Sequence, residues 1–312
     1  MRIRRSLIDL DDLTSEELTY IFKRTAGFES EAPGPLLGGT ACVNMFFEES
    51  TRTFTSFNLA ELRLGACVVN LAPGDLSLAT KGETLEDTAI TLSAMGVSVL
   101  VVRHPEVGFP QRIALAFDGH VINAGDGVHA HPTQALLDVY TLIEEFGDLR
   151  GRAVAIVGDI LHSRVAHSVI RGLQRLGASA VLVGPECFLP NSYAGDGVSV
   201  ERQFDAVLPK VDAIMLLRIQ RERFSEMAIS DRDYVAGYRL DRRRLGIARQ
   251  DAIVMHPGPY NRGVELDDSV LEFAGWRYAR QVHHGVPIRM AVLDLLVNGQ
   301  RAGEPVQAAR NE

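Results

Sequence analysis

The feature that most constrains this chain is a repeated succession: a short β-rich apolar run, a polar loop, a helix with one apolar face, and a glycine stop. Ala41 to Phe47 reads as a buried strand. Thr53 to Leu64 reads as a helix with Phe57, Ala60 and Leu64 on one face and Gly65 as its stop. Ala66 to Leu71 is again strand-like, Thr84 to Met95 helical, and Val97 to Val102 a β-rich run. After the strongly apolar helix Pro132 to Phe146, closed by Gly147, the pattern restarts. Strand Ala153 to Val157 is followed by helix Arg164 to Leu176, ended by Gly177, and strand Ala180 to Val183. Strand–helix–strand order of this kind packs as parallel sheets covered by helices. The expected class is therefore α/β, with two doubly wound parallel-sheet domains joined by interdomain helices. Gly147-Asp148-Leu149-Arg150-Gly151 is the expected boundary, giving domains over 1–147 and 148–285. A last helical segment, Ile288 to Val297 within about 286–305, is apolar enough to pack back onto the first domain.

At 312 residues the chain can bury two cores of ordinary size. Its formal charge of −8 argues against a nucleic acid or an anionic membrane as partner, although a basic pocket can sit inside an acidic protein. Cys42, Cys67 and Cys187 lie far apart and form no C-x-x-C pair, the pattern of a reducing compartment without disulfides or structural zinc. The opening MRIRRSLIDLDDL has no apolar core for a signal peptide, and no apolar run approaches a membrane span. A cytoplasmic location is expected.

The most informative stretch is Phe46-Phe47-Glu48-Glu49-Ser50-Thr51-Arg52-Thr53. A strand runs into hydroxyl residues and an arginine just where a helix begins. Backbone N–H groups, hydroxyl donors and a guanidinium at a helix N-terminus suit a phosphate. The plain alternative is a Ser/Thr helix cap beside a solvated arginine. No G-x-x-x-x-G-K-[ST] and no helix-opening G-x-G-x-x-G is present. Further anion-binding candidates are Ser77 and Lys81 in a polar loop, Arg103-His104-Pro105 at a strand end, and His131-Pro132-Thr133-Gln134 opening a helix. Arg164 follows the strand ending near Gly158, and Arg218-Ile219-Gln220 continues another, where alternation puts Arg218 and Gln220 on one side. Two arginines at strand ends suit a dicarboxylate, because guanidinium forks grip carboxylates bidentately. His129 and His131 could pair as metal ligands, but no nearby carboxylate or thiol completes a set, and His283-His284 reads as a turn feature. No metal and no cofactor are expected.

Taken together, these motifs have the order and spacing found in aspartate carbamoyltransferase catalytic chains. The set is Ser50-Thr51-Arg52-Thr53, Ser77 with Lys81-Gly82-Glu83-Thr84, Arg103-His104-Pro105, His131-Pro132-Thr133-Gln134, Arg164, Arg218-Ile219-Gln220 and His256-Pro257-Gly258-Pro259. The chain resembles that family from about Phe46 to Leu293. The resemblance implies transfer of a carbamoyl group from carbamoyl phosphate to L-aspartate, in pyrimidine biosynthesis. It also implies a homotrimer with an N-terminal carbamoyl-phosphate domain and a C-terminal aspartate domain. By position, Ser50, Thr51, Arg52, Thr53 and Arg103 hold the phosphate, while Thr53, Arg103 and His131 polarise the carbamoyl carbonyl. Gln134, Pro257 and Gly258 hold the carbamoyl nitrogen. Arg164, Arg218, Gln220 and Lys81 bind aspartate, with Ser77 and Lys81 contributed by a neighbouring subunit. Dihydroorotase or regulatory chains are possible further partners.

One departure stands out. The family usually reads S-T-R-T-R, but Phe54 takes the last place here, and Asn58 stands where the family usually has Glu. These positions are i, i+4 neighbours, so an ion pair is lost from both sides at once. Two other readings stand beside this one. Carbamoyl transfer to another amine such as ornithine would want acidic residues for a cationic side chain. A catalytically silent paralogue partnering dihydroorotase would have Phe54 as its support.

Overall fold

Parallel strands need a crossover at each step, and the helix after each β-run supplies it. The computed structural model of the chain describes residues 6–72, 82–189, 196–219 and 229–299. By their contacts these fall into two units. One holds the residues through Asp126 and those from Gly285 onward, the other Gly127–His284.

The first unit opens with α1 (Ser15–Ser30), whose Thr14 and Glu17 form a reciprocal capping box. There follow β1 (Ala41–Phe46), α2 (Thr51–Arg63), β2 (Cys67–Leu71), α3 (Leu85–Ala94), β3 (Val99–His104), α4 (Phe109–Ala116) and β4 (His120–Asp126). The sheet is parallel throughout, in the order β2-β1-β3-β4. The chain leaves β1 for β2 on one side and returns to β3 on the other, so the switch point lies between β1 and β3. Val43, Met45, Leu100, Val102 and Val121 from the strands pack with Leu85, Ala89 and Leu92 of α3 and Ile113 of α4.

The second unit contains α5 (Pro132–Phe146), β5 (Ala153–Val157), α6 (Arg164–Arg175), β6 (Ser179–Val183) and β7 (Val198–Glu201). It continues with α7 (Phe204–Val207), β8 (Ala213–Leu216), α8 (Asp231–Tyr238), α9 (Arg242–Leu245), β9 (Ile253–Met255) and α10 (Asp268–Leu271). The division between units falls inside the last helix, α11 (Tyr278–Asn298). The second sheet is also parallel, ordered β7-β6-β5-β8-β9, with its switch point between β5 and β8. No helix among the described residues is long and apolar enough to cross a membrane.

The structure departs from the sequence reading in several places. The last helix starts at Tyr278 rather than Ile288, carrying Pro287 inside it. A proline normally marks a boundary, and here the helix runs through it. His283 and His284 therefore lie in a helix and not in a turn; His284 is fully buried, its Nδ1 2.8 Å from Thr141 Oγ1. Finally, β8 stops at Leu216, so Arg218 sits beyond the ladder and strand alternation does not govern it. The sequence boundary at 147 places α5 with the first domain, whereas contacts group it with the second unit. There His131 N–H donates to Ser168 Oγ at 2.9 Å and Gln281 Nε2 donates to Asp138 Oδ1 at 2.7 Å.

Candidate active site

In the first unit the sequence-predicted anion residues gather at the switch point. Register pairs Phe46 with Arg103, and Phe47 N–H donates to Arg103 O at 2.9 Å, so the end of β1 and the end of β3 are held side by side. Ser50, Thr51, Arg52 and Thr53 follow directly. Ser50 occupies the N-cap position of α2, yet its side chain makes no cap bond. The plain helix-cap reading therefore fails here, whereas Thr14, Thr84, Ser163 and Ser230 do cap their helices. Helix geometry leaves the first-turn N–H groups of α2 outside the ladder, beside the half-buried Arg52 and the buried Thr53. Arg103 is fixed on its own unit: Nη1 donates to Ala124 O at 3.3 Å, and Nε lies 3.3 Å from Glu48 Oε2. Beside it His104 stacks on Phe109 at 3.6 Å, and burial lowers its pKa, keeping the ring neutral at physiological pH. Phe54, the departure from the usual arginine, packs edge-on against Phe46 at 5.2 Å. Asn58 Nδ2 donates to Phe54 O at 3.0 Å and its Oδ1 accepts from Asn70 Nδ2 at 2.8 Å. Both positions are neutral and packed.

In the second unit the candidates also sit at carboxyl ends of parallel strands. Arg164 opens α6 after β5; Ser163 Oγ caps that helix by accepting from Ala166 N, and Arg164 Nη1 donates to Gly127 O at 3.1 Å. Arg218 follows β8 and is exposed between the buried Leu217 and Ile219. The strands carrying these two arginines flank the switch point. His131, nearly fully buried, stands at the N-cap of α5 without a side-chain cap bond, and Pro132 fills the first helical position. Gln134 is buried one turn on, and its Nε2 donates to Asp138 Oδ1 at 2.9 Å. With its donor end engaged, the amide presents its oxygen as an acceptor, the group an N–H₂ ligand requires.

The loop after β9 is built with equal care. His256 is fully buried; its Nδ1 accepts from Gly258 N at 2.8 Å, which assigns the proton to Nε2. His256 N–H donates to Gln281 Oε1 at 2.9 Å, and Gln281 shares Asp138 with Gln134. Gly258 adopts φ 70°, a left-handed conformation that favours glycine. Glu265 is buried and accepts from Ile219 N at 2.7 Å, Asn261 N at 2.6 Å and Asn261 Nδ2 at 2.9 Å. Burial pushes its carboxyl up, against the opposing effect of those hydrogen bonds.

Ser50, Thr51, Arg52, Thr53 and Arg103 are thus brought together in the first unit. His131, Gln134, Arg164, Arg218, Pro257 and Gly258 lie in the second. Ser77, Lys81 and Gln220 lie outside the described residues. Sequence reasoning gave no site role to Asp138, Gln281, Asn261 or Glu265. Asp138 carried one usable signal, an acid in the middle of a strongly apolar helix whose other acids, Glu144 and Glu145, fall in its last turn.

The domain family described as "Aspartate/ornithine carbamoyltransferase, carbamoyl-P binding domain" matches residues 5–144. The companion "Asp/Orn binding domain" of the same enzymes matches residues 150–296. The aspartate carbamoyltransferase catalytic subunit of Acidothermus cellulolyticus is 47% identical, covering 98% of this chain and 95% of that one. Its counterpart from Gluconacetobacter diazotrophicus is 50% identical over 88% of this chain and 84% of its own length. Among solved structures, aspartate transcarbamoylase from Trypanosoma cruzi in complex with N-(phosphonacetyl)-L-aspartic acid superposes with a TM-score of 0.83. It is 32% identical, with 93% of this chain and 94% of that chain covered. Ornithine carbamoyltransferase from Pyrococcus furiosus gives a TM-score of 0.86 at 27% identity, covering 95% and 98% of the two chains. With a relative nearly half identical along its whole length and both domain families matched in order, the chain belongs to the aspartate/ornithine carbamoyltransferase family.

Proposed function

We propose that this chain transfers the carbamoyl group of carbamoyl phosphate to the amino group of L-aspartate, giving N-carbamoyl-L-aspartate and phosphate. The observation that carries the reading is the placement of anion-binding groups at both switch points. Hydroxyls, helix N–H groups and guanidiniums stand at the first, and Arg164 and Arg218 at the second. The relatives' shared name supplies aspartate rather than ornithine. Residues 1–147 with the C-terminal helix then serve carbamoyl phosphate and 148–285 serve aspartate, in keeping with the descriptions of the matched domains.

In this mechanism Ser50, Thr51, Arg52, Thr53 and Arg103 grip the phosphate. Thr53, Arg103 and His131 aim donors at the carbonyl oxygen, Gln134 and the Pro257–Gly258 loop accept from the carbamoyl N–H₂, and Arg164 and Arg218 hold the carboxylates. The neutral amine attacks the carbamoyl carbon, a C–N bond forms, the C–O bond to phosphate breaks, and the amine proton leaves with the phosphate. Catalysis comes from positioning and from charge stabilisation on the developing oxyanion. Ser77, Lys81 and Gln220 complete the aspartate side by resemblance. The working form is a cytoplasmic homotrimer. Exposed Leu59 and Leu62 on α2 and Val69 on the edge strand β2 favour association, and the free cysteines Cys42, Cys67 and Cys187 suit a reducing compartment.

An acceptor screen at fixed carbamoyl phosphate tests the assignment. Aspartate should yield the ureido product while ornithine yields none. Ornithine turnover, or no transfer to either amine, would overturn it.

A further inference from the structure

Arg218 is exposed and lies beyond the end of β8, so no strand ladder fixes it. Something else must set the direction in which its side chain leaves the backbone. The neighbouring peptide supplies it. Ile219 N–H donates to Glu265 Oε1 at 2.7 Å, and Ile219 O accepts from Asn261 Nδ2 at 3.1 Å. Both backbone groups of the residue after Arg218 are therefore bonded to one two-residue device. Glu265 Oε1 also accepts from Asn261 Nδ2 at 2.9 Å, and Oε2 from Asn261 N at 2.6 Å. The same carboxylate thus anchors the loop that begins at His256-Pro257-Gly258. The hydrogen bonds gather Arg218's segment and the His-Pro loop on one buried acid, Glu265, which lies 46 residues beyond Ile219 along the chain.

We propose that Glu265, with Asn261, is a positioning residue for the acceptor-binding half of the site: it clamps the Arg218–Ile219 peptide to the His256–Asn261 loop. The inference rests on the aspartate reading of Arg218 given above. A carboxylate suits the task because each of its oxygens accepts, and all its partners here donate. It is also almost fully buried, so any partner that loses its acceptor loses it without water to replace it. Glu265 is not a catalytic residue in this account, since it acts only through the backbone it holds. The packing around it is consistent with a rigid mount. Ile219 and Val264 join Phe188 and the buried Tyr234 in one small apolar cluster.

Glu265→Gln is the sharpest test, since it keeps the volume while turning one acceptor into a donor facing a donor. In the full-length enzyme the Michaelis constant for aspartate should rise about tenfold or more, as expected for losing a buried bond to a charged group. That for carbamoyl phosphate should stay within about twofold, because its phosphate grip lies in the first unit. Amide exchange should accelerate in peptides containing Ile219 and Asn261. Asn261→Ala, which removes only the side-chain links, should shift the aspartate constant in the same direction and by less. Its milder change also covers the case in which Glu265→Gln fails to fold. The proposal is overturned if both variants leave the aspartate constant unchanged, or raise both substrate constants equally with a matching loss of thermal stability. Wild-type turnover judges the aspartate reading separately. If the wild type ignores aspartate, that reading fails, and unaltered amide exchange in Glu265→Gln would remove the clamp as well.

Discussion

Arg103 shows how much one side chain can carry when the backbone around it is fixed. Its peptide is tied to Phe47, its guanidinium to Ala124 O, and Glu48 balances its charge from 3.3 Å. Truncation to alanine should lower kcat by ~10²–10³ with little change in fold, the usual loss for one oxyanion donor; steady-state rates beside a thermal melt check both halves of that statement. Glu61 makes a different point. It is fully buried on α2, and burial pushes its carboxyl from an ordinary 4.5 up to about 7, against one hydrogen bond from Asn44 Nδ2 at 2.8 Å. A raised acid favours the neutral form. The stability it permits is fully present below about pH 4.5 and is lost as pH rises through about 7. The shift amounts to roughly 3 kcal/mol. Glu61→Gln, a neutral isostere, should therefore gain stability over wild type at pH 8 and lose most of that advantage at pH 5. Denaturant melts at the two pH values measure it, and an equal difference at both would refute the burial argument. The residues legible in the sequence were those whose chemistry is local: hydroxyls and arginines directly after apolar runs. Glu265 and Gln281 were not: Glu265 meets Asn261 close by, but its bond to Ile219 spans 46 positions and that of Gln281 to Asp138 spans 143, and nothing in a linear reading brings those together.

At the scale of elements, hydrophobic period and glycine stops located the core strands and helices well. α5 falls on Pro132–Phe146 as expected, and β5 on Ala153–Val157. The reading faltered where a breaker was overruled, as at Pro287 in α11. It also faltered where a chain extended past its ladder, as after β8. β4 has no clean strand pattern in the sequence, since Asn123, Gly125 and Asp126 give it a turn-like composition. In the structure those polar groups satisfy one another: Asn123 Nδ2 donates to Asp126 Oδ1 and Oδ1 accepts from Gly125 N, each at 2.8 Å. Asp138 is the corresponding node on α5, accepting from Gln134 and Gln281. Asp138→Ala should destabilise the protein by about 2–4 kcal/mol, since two buried amides lose their acceptor. It should also weaken carbamoyl-phosphate use by releasing Gln134. Equilibrium unfolding and the carbamoyl-phosphate Michaelis constant are the two readouts. On α2 the pairing of Phe54 with Phe46 predicts that Phe54→Arg leaves carbamoyl-phosphate affinity within about threefold, because the position packs against a ring rather than facing the helix N-terminus. A large gain in affinity would show the missing arginine to matter.

For the whole molecule, the governing fact is that a parallel sheet with a single switch point occurs twice. Two parallel sheets each reverse direction once, and the candidate phosphate and carboxylate groups stand at the two reversals. A chain of this family can then divide its labour, with one unit for the carbamoyl-phosphate donor and the other for the amine acceptor. That division is the central claim, and a single variant tests it. In Arg218→Ala, assayed by transfer of labelled carbamoyl phosphate to aspartate, the Michaelis constant for aspartate should rise ten- to a hundredfold, the loss expected for a charged bond to a carboxylate, while that for carbamoyl phosphate stays within about twofold. An unchanged aspartate constant, or an equal rise in both, would contradict it.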